Sequence, residues 1–301
     1  MINRPNVLIF GSNGWIGSKV VKLLQDMDIN FVKSVCRADD INMIRTELEL
    51  NKNVTHIMSF IGRTHGVYEH QVIGTIDYLE KPGKLVDNMR DNLFSPIALA
   101  ELCKEMNIHF TYLGTGCIFD YDEHHLFGDT TTGFLESDLP NFVGSSYSIV
   151  KGYTDRIMQL MYSETALNAR IRMPITDELY SPRNFITKII NYPKVCSIPN
   201  SMTVLDELLP VLIDLALRRE VGTVNLTNPG LISHNEILTM YKEIVDPAFT
   251  WTNFTIEEQN NILASKRSNN CLDTTKLVSL NPNVLSIHES VRNTILRMKK
   301  M

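Results

Sequence analysis

Two short segments of the sequence carry side chains suited to chemistry on a carbonyl group. In the segment YLGTGC, Thr115 and Cys117 stand two residues apart, so a hydroxyl and a thiol project from the same face of an extended chain. In the segment SYSIVKG, Tyr147 and Lys151 stand four residues apart and share one face of a helix. A lysine ammonium beside a phenol stabilises the phenolate, which prepares the tyrosine to act as an acid or a base. The alternatives without catalysis are a buried structural cysteine and a surface Tyr–Lys pair.

A glycine-rich turn lies near the start of the chain. The segment FGSNGWIG places Gly11, Gly14 and Gly17 directly after an apolar strand, NVLIF, and at the start of a helix. Glycine lets the backbone approach a pyrophosphate, and the helix N-terminus offers unpaired amides. The turn therefore predicts a dinucleotide cofactor, against the alternative of a tight turn that binds nothing. The residues predicted to contact this cofactor are Gly11, Asn13, Gly14, Trp15, Ile16 and Gly17.

The residue that reads the cofactor's ribose is expected about twenty residues further along, at the end of the second strand. This region contains Arg37, Asp39 and Asp40. An arginine here accommodates a 2′-phosphate, whereas a carboxylate favours NADH or caps the following helix. We predict NADPH bound through Arg37, with NADH as the alternative. The alternative for Arg37 itself is a solvated surface charge.

The composition is that of an ordinary globular chain. It has 301 residues, 44% of them hydrophobic, and a net charge of -5. A mildly acidic chain without a basic stripe argues against nucleic-acid binding, and charges interrupt the apolar runs before they could cross a membrane. The five cysteines have no metal-binding spacing, and neither do the histidines. We therefore predict no metal site, and reduced thiols in a soluble, cytoplasmic protein.

Alternating strands and helices must position these residues. The pattern predicts an α/β fold, with a Rossmann-type doubly wound parallel sheet in residues 1–173. A smaller mixed substrate lobe is predicted over 174–301, with segments that could return to the sheet. The predicted strands cover 6–10, 30–36, 55–61, 109–113 and 169–173. The predicted helices cover 15–26, 41–50, 91–106, 147–162, 184–190, 205–219, 234–244, 256–263 and 287–298.

The glycine turn, the strand that ends near Thr115 and the helix that carries Tyr147 and Lys151 together resemble the extended short-chain dehydrogenase/reductase family. This resemblance implies that Thr115, Tyr147 and Lys151 are catalytic. It also implies that Tyr147 and Lys151 contact the cofactor. Asn92 resembles the family's helix-borne asparagine, whose role is mainly structural.

Within this family the chain resembles the bifunctional 3,5-epimerase/4-reductases of UDP-L-rhamnose synthesis. The stretches that carry the resemblance are TGCIF, PNFVGSSYSIVKG, RIRMPI, PRNFITKI, IPNSMTVLDELLP, TNPG, SHNEIL and RSNN. The family's 4,6-dehydratases carry an Asp-Glu pair directly after the threonine, where this chain has Gly116 and Cys117, so dehydration is not implied. The implied reaction converts UDP-4-keto-6-deoxy-D-glucose to UDP-L-rhamnose with NADPH, although dTDP in place of UDP stays open.

The resemblance also implies how the substrate is handled. Cys117 and Lys188 are the implied pair for inversion at C3 and C5, and which of them is acid and which base stays open. Arg183, Asn184 and Arg267 are the residues implied to bind the UDP-sugar. The alternatives for Lys188 are a phosphate-binding role, with Arg183 as its rival, and a place on a solvated helix face. The alternative for Arg267 is an exposed salt bridge.

The resemblance further implies a homodimer formed through the helices at 91–106 and 147–162, as in dimers of the family. The chain shows no second nucleotide motif, so a separate chain is implied for the upstream 4,6-dehydratase. Two other functions stay open: a 4-reductase without epimerase activity, similar to dTDP-4-dehydrorhamnose reductase, and a non-catalytic NADP-binding regulatory subunit.

Overall fold

A computed structural model describes residues 4–300, which form two compact units. The first unit contains residues 4–114, 145–169 and 210–224. The second unit contains residues 115–144, 170–209 and 225–300. These units are groups of residues that are close in space, and such a group need not fold independently. The predicted domain boundary at residue 173 therefore stays a prediction.

Within the described residues, the strands are few and short. They are β1 (Asn6–Phe10), β2 (Asn30–Lys33), β3 (His56–Ser59), β4 (Gly66–Tyr68), β5 (Gln71–Ile73), β6 (His109–Thr115), β7 (Ala166–Ile171) and β8 (Gly222–Asn225). β4 and β5 form an antiparallel hairpin. The other strands form one six-stranded sheet in the order β2-β1-β3-β6-β7-β8.

The strand order reverses at β1, because β2 lies on one side of it and the later strands lie on the other. β1 pairs in parallel with β2 on one side and with β3 on the other, and β3 pairs in parallel with β6. All residues of β1 are buried, as expected for a central parallel strand with helices on both faces. In open parallel sheets, ligands bind beyond the carboxyl ends of the strands where the order reverses, and the glycine turn follows β1 at this place.

The helices connect these strands. In the described part of the chain they are α1 (Trp15–Asp26), α2 (Ile41–Leu50), α3 (Lys84–Met89), α4 (Ser95–Glu105), α5 (Ser146–Met161), α6 (Phe185–Ile190), α7 (Leu205–Leu217), α8 (His234–Ile244), α9 (Ile256–Ile262), α10 (Thr275–Leu280) and α11 (Ile287–Met298). A 3-10 turn covers Ile76–Glu80, and a π-helical turn covers Arg90–Phe94. None of these helices is both long enough and apolar enough to span a lipid bilayer.

The predicted fold class is confirmed, and each predicted strand and helix is present. The bounds of β1, α1, α2, α8 and α11 are as predicted, and the other predicted elements have shifted ends. The helix predicted over 91–106 is divided, because a π-helical turn precedes α4. The elements that the sequence pattern missed are β4, β5, β8, α3 and α10. Each has three to six residues, which is too short to show a clear hydrophobic period.

Each unit has its own apolar core. In the first unit, Leu8, Phe10, Ile57 and Phe110 of the sheet pack with Leu99 of α4. In the second unit, one core joins α6, α8 and α11, and a smaller cluster surrounds the turn after β6. The residues of this smaller cluster are Ile118, Phe119, Phe134 and Leu272.

Candidate active site

The glycine turn between β1 and α1 can hold an anion. Gly11 has a φ of +76°, a left-handed conformation that favours glycine, and a Cβ there would lie 3.0 Å from the Phe60 carbonyl carbon. A Cβ on Gly17 would lie 2.1 Å from the Gly11 carbonyl oxygen. Helix α1 begins directly after Gly14, so its unpaired amides lie at this turn. The turn therefore fits the pyrophosphate of a dinucleotide.

Arg37 lies beside an open cavity and is paired with a carboxylate. Its Nε lies 2.9 Å from Asp39 Oδ1, and its Nη2 donates to Asp39 Oδ2 at 3.1 Å. The hydrogen bond from Arg37 lowers the pKa of Asp39. Asp40 instead caps α2, because its Oδ1 accepts a hydrogen bond from Met43 N at 3.1 Å. The cavity has a volume of about 520 Å³ and is lined by Arg37, Asp39, Asp40, Ile41 and Asn42.

Tyr147 and Lys151 lie one turn apart on α5, and both are buried. α5 begins after Ser145, whose hydroxyl accepts a hydrogen bond from Ser148 N at 3.0 Å. Lys151 Nζ donates a hydrogen bond to the hydroxyl of Tyr112 on β6 and lies 4.4 Å from the centre of that ring. Burial, followed by electrostatic interaction with Tyr147, raises the pKa of Tyr112 well above its ordinary value. Tyr112 therefore stays a neutral partner for the ammonium group at physiological pH.

The π-helical turn Arg90–Phe94 supports α5. Asn92 in this turn is buried, and its side-chain amide donates hydrogen bonds to Arg63 O at 2.9 Å and to Asn88 Oδ1 at 2.8 Å. Its backbone carbonyl accepts a hydrogen bond from Thr154 Oγ1 of α5 at 2.6 Å. These contacts give Asn92 a structural role in holding α5.

In the second unit, Thr115 and Cys117 lie on a turn tied by hydrogen bonds. Thr115 Oγ1 accepts a hydrogen bond from Cys117 N at 3.1 Å. Thr115 is buried, and Cys117 is half-buried with a free thiol. The side-chain amide of Asn270 donates to the carbonyl oxygens of Gly116 and Phe119, both at 2.9 Å. Asn270 thus holds the turn on both sides of Cys117.

Lys188 on α6 is the centre of a group of cations. Burial, followed by the charges of Arg183 and Arg267, lowers the pKa of Lys188. Burial also lowers the pKa of Arg183. Arg267 Nη1 donates hydrogen bonds to the carbonyl and hydroxyl oxygens of Ser265 at 2.9 and 2.6 Å. Like charges within reach of one another in a half-buried place favour binding of a multiply charged anion such as a diphosphate.

Asn184 directly precedes α6 and is fully buried. Its Oδ1 accepts a hydrogen bond from Thr176 N at 3.2 Å, and its Nδ2 donates to Thr176 O at 2.9 Å and to Glu178 O at 3.2 Å. The side chain therefore supports the loop before α6, and its contact with a substrate stays a prediction.

The predicted site residues lie in both units. Those in the first unit are Gly11, Asn13, Gly14, Trp15, Ile16, Gly17, Arg37, Tyr147 and Lys151. Those in the second unit are Thr115, Cys117, Arg183, Asn184, Lys188 and Arg267. Their roles stay predictions. Within residues 4–300, no three His, Cys, Asp or Glu side chains are grouped to hold a metal ion.

Two contacts of these residues were missed by sequence reasoning. Tyr112 looks like an ordinary buried residue of a strand, and only the structure shows its bond to Lys151. Asn270 lies 154 residues from Gly116. No local spacing reports a contact across that separation.

The chain belongs to the NAD dependent epimerase/dehydratase family, which it matches over residues 7–193. This match covers more than half of the chain and confirms the resemblance to the extended short-chain dehydrogenase/reductases. Proteins of this family use a nicotinamide dinucleotide, which agrees with the glycine turn after β1.

The chain is also similar to named proteins over nearly its whole length. It is 51% identical to the protein L780 of Acanthamoeba polyphaga mimivirus, over 97% of this chain and 98% of that protein. The crystal structure of the L780 UDP-rhamnose synthase has a TM-score of 0.92 to this chain, with 98% of this chain and 100% of that chain covered. The bifunctional dTDP-4-dehydrorhamnose 3,5-epimerase/dTDP-4-dehydrorhamnose reductase of Arabidopsis thaliana is 41% identical over 98% of this chain and 94% of that protein.

A longer plant protein matches with part of its length. The trifunctional UDP-glucose 4,6-dehydratase/UDP-4-keto-6-deoxy-D-glucose 3,5-epimerase/UDP-4-keto-L-rhamnose-reductase RHM1 of Arabidopsis thaliana is 40% identical over 94% of this chain. The match covers 40% of that protein. The similarity therefore concerns less than half of the trifunctional protein.

Proposed function

We propose that this protein epimerises C3 and C5 of UDP-4-keto-6-deoxy-D-glucose and then reduces C4, giving UDP-L-rhamnose. The observation that carries the proposal is the turn in which Thr115 and Cys117 are held together by a hydrogen bond. The similarity over nearly the full length to a UDP-rhamnose synthase and to a plant epimerase/reductase supports it.

The first half-reaction is an exchange of protons at carbon. The C4 ketone makes the hydrogens on C3 and C5 acidic, and inversion requires removal of a proton from one face and its return on the other. Cys117 offers a half-buried thiol, and Lys188 offers an amine whose pKa is lowered by burial and by neighbouring arginines. We assign these two side chains to the exchange, with Thr115 and Tyr147 donating hydrogen bonds to the enolate oxygen.

The second half-reaction reduces the ketone to an alcohol. A reduced nicotinamide, when bound, would supply the hydrogen and its two electrons to C4. Tyr147 donates a proton to the C4 oxygen, and the Lys151 ammonium favours this by stabilising the phenolate that remains. The hydrogen bond from Lys151 to the neutral Tyr112 fixes the ammonium group on α5.

We assign NADPH as the preferred reductant because of Arg37. Its side chain is 64% exposed at the open cavity beside α2, and a guanidinium binds phosphate with two parallel hydrogen bonds. A 2′-phosphate has to compete there with the carboxylate of Asp39. The glycine turn at Gly11, Gly14 and Gly17 would hold the pyrophosphate of the bound cofactor.

The diphosphate of the substrate is assigned to the cations around α6. Arg183 and Arg267 lie within electrostatic reach of Lys188, so three positively charged side chains are grouped there. Asn184 acts by holding the backbone at Thr176 and Glu178. A diphosphate group would therefore meet three positively charged side chains at this place.

The protein is proposed to act as a homodimer through the helices at 91–106 and 147–162. Large apolar side chains on these segments are exposed, among them Phe94, Tyr153 and Leu160. An apolar depression lies alongside, lined by Val86, Met89, Arg90, Leu93, Phe94, Ile97 and Ile157. Burial of such a patch against a second copy is favourable. Sedimentation velocity at micromolar concentration is expected to give twice the chain's mass.

The substrate itself arises by 4,6-dehydration of UDP-glucose. We assign that step to a separate protein, because Gly116 and Cys117 occupy the place of the acidic pair that dehydration needs. UDP-glucose incubated with this protein and a nicotinamide cofactor is therefore expected to stay unchanged.

One assay tests the proposed function. The protein is incubated in D2O with UDP-4-keto-6-deoxy-D-glucose and either NADPH or NADH, and the product is identified by NMR. UDP-L-rhamnose with deuterium at C3 and C5 supports the proposal. A reduced sugar without deuterium at those carbons contradicts it and indicates a 4-reductase, whereas absence of NADPH oxidation indicates a binding protein. The dTDP-sugar in parallel tests the choice of nucleotide.

A further inference from the structure

The first amide of α5 is bound by a carboxylate from a distant segment. Ser146 is the first residue of this helix, and its backbone N donates a hydrogen bond to Glu80 Oε1 at 2.7 Å. Glu80 ends the 3-10 turn Ile76–Glu80 and precedes Ser146 by 66 residues. The first amides of a helix have no partner within the helix itself, and α5 has no acidic residue in its own first turn. Glu80 therefore supplies both the acceptor and the negative charge that the start of a helix favours.

The hydroxyl of Ser146 is bound by the same part of the chain. Ser146 Oγ donates a hydrogen bond to Leu79 O at 3.2 Å and accepts one from Asn88 Nδ2 at 3.4 Å. Asn88 is fully buried, and its Oδ1 accepts a hydrogen bond from Asn92 Nδ2 at 2.8 Å. Both the backbone and the side chain of the residue directly before Tyr147 are therefore fixed from outside α5.

The 3-10 turn that carries Glu80 is itself closely packed. Tyr78 and Leu79 of this turn are buried. Gly66 of β4 lies against the ring of Tyr78, because a Cβ on Gly66 would lie 2.5 Å from Tyr78 Cζ. The Tyr78 hydroxyl donates a hydrogen bond to Asp87 Oδ2 of α3 at 3.5 Å. A carboxylate on such a packed turn holds its partner in one place, since the turn has little freedom to follow a movement of the helix.

We propose that Glu80 is a positioning residue for reduction: its carboxylate fixes the start of α5 and so holds Tyr147 in place to donate its proton. The proposal rests on the proposed function, in which Tyr147 protonates the C4 oxygen of the sugar. Glu80 has no contact with the substrate in this role and acts only through Ser146. Proton transfer requires heavy atoms within about 3 Å of each other, and a displacement of about 1 Å can slow a reaction by about 10².

The first test alters the acceptor. Glu80→Ala removes it, whereas Glu80→Gln keeps an amide oxygen that can still accept the hydrogen bond. The first readout is kcat and KM for NADPH-dependent conversion of UDP-4-keto-L-rhamnose, a substrate that needs reduction only. In Glu80→Ala we expect kcat to fall about ten-fold or more with KM within about two-fold of wild type, and in Glu80→Gln we expect kcat within about three-fold of wild type. The second readout is hydrogen–deuterium exchange of the amides in the first turn of α5, which should be about ten-fold faster in Glu80→Ala.

The second test alters the donor and does not depend on the folding of Glu80→Ala. Ser146→Pro removes the N–H group at the first helical position, where proline is favoured, and Ser145 already has the extended backbone (φ −149°, ψ 151°) that precedes a proline. Ser146→Ala keeps the N–H group and removes only the hydroxyl. Ser146→Pro should lower kcat as much as Glu80→Ala, and Ser146→Ala should lower it less. The double variant Glu80→Ala/Ser146→Pro should be no slower than either single variant, because both remove the same bond.

Glu289→Ala is the matched control, because Glu289 Oε2 accepts a hydrogen bond from Ser286 N at 3.2 Å at the start of α11. It removes the same kind of contact from a helix that carries no assigned site residue, and kcat should stay unchanged. An unchanged kcat in folded Glu80→Ala and Ser146→Pro, or an equal loss in Glu289→Ala, would overturn the role of Glu80. A wild type that oxidises no NADPH would refute the proposed function, and faster exchange confined to Glu80→Ala and Ser146→Pro would then still support the fixing of α5 by Glu80.

Discussion

The ammonium group of Lys151 lies against the face of Tyr112, 4.4 Å from the ring centre, and donates a hydrogen bond to its hydroxyl. This contact joins the helix that carries the Tyr–Lys pair to the strand that leads to Thr115. Because Tyr112 is buried and neutral, it orients the ammonium without quenching its charge. Lys151 can therefore stabilise the Tyr147 phenolate, while Tyr112 only holds the ammonium group in position.

Removal of the hydroxyl of Tyr112 is expected to slow reduction modestly. Tyr112→Phe loses one hydrogen bond to a charged group, so kcat should fall about ten-fold. Tyr147→Phe removes the proton donor, so its kcat should fall by a factor of about 10² to 10⁴. NADPH oxidation followed at 340 nm measures both. The control is Tyr162→Phe, because the Tyr162 hydroxyl donates a hydrogen bond to Glu101 at 2.8 Å. If kcat falls as much in Tyr162→Phe as in Tyr112→Phe, the assigned role of Tyr112 is contradicted.

Replacement of Cys117 is expected to divide the two half-reactions. Cys117→Ala removes the thiol and should reduce deuterium exchange at C3 and C5 by about 10² or more. Reduction of UDP-4-keto-L-rhamnose, whose carbons are already inverted, should stay within a few-fold of wild type. Cys36→Ala, a half-buried cysteine elsewhere in the chain, is the control. Exchange that persists in Cys117→Ala at the wild-type rate would rule out the thiol as a proton carrier.

The choice of cofactor is expected to depend on Arg37. Arg37→Met should raise KM for NADPH by about ten-fold or more, since a charged hydrogen bond to phosphate is lost, and leave KM for NADH nearly unchanged. Asp39→Asn removes the competing carboxylate and should lower KM for NADPH. Initial rates with each cofactor give both values. A change in Arg37→Met that is equal for the two cofactors would show that Arg37 does not bind the 2′-phosphate.

A buried histidine pair predicts how stability depends on pH. His56 of β3 and His109 of β6 are buried with ring centres 5.5 Å apart. Burial, followed by the charges of His109 and Arg219, lowers the pKa of His56 from 6.5 to about 4. Below pH 6.5 the unfolded chain binds a proton that folded His56 does not, so stability falls as the pH falls from 6.5 to about 4. His56 alone accounts for a decrease of about 3 kcal/mol in the free energy of unfolding over this pH interval.

Urea denaturation at pH 7 and pH 4 measures this effect. In His56→Gln the free energy of unfolding should fall by about 3 kcal/mol less than in wild type over this interval. His124→Gln alters a histidine with a side chain 80% exposed and should follow the wild type. Parallel pH dependences for wild type and His56→Gln would show that His56 is protonated in the folded protein.

The sequence predicts those parts of the fold and site that depend on short separations. Gly11, Gly14 and Gly17 form one turn, and Tyr147 and Lys151 lie one helical turn apart, so their spacing predicts them once the neighbouring strands and helices are taken into account. β8 has four residues and joins the sheet beside β7, which no local pattern reports. The sheet's membership therefore depends on contacts that are distant in sequence.

The strand segment ARIRM shows why burial was harder to predict. Arg170 and Arg172 alternate with apolar residues, which is typical of a strand with one polar face, yet both arginines are fully buried. Arg170 is accommodated by carbonyl groups of a loop, and Arg172 by Asn200 and Ser268. These acceptors come from remote segments, so the alternation of residue types within ARIRM does not report that both arginines are buried.

The hydrogen bonds from Asn270 also set an order of events during synthesis. The residues around Cys117 leave the ribosome early, but Asn270, whose side chain binds their backbone, lies 154 residues downstream of Gly116. A nascent chain that has not yet exposed Asn270 lacks these bonds, so the cysteine turn gains its final geometry late in translation. A chain truncated before Asn270 keeps Cys117 but lacks the hydrogen bonds from Asn270 to Gly116 and Phe119.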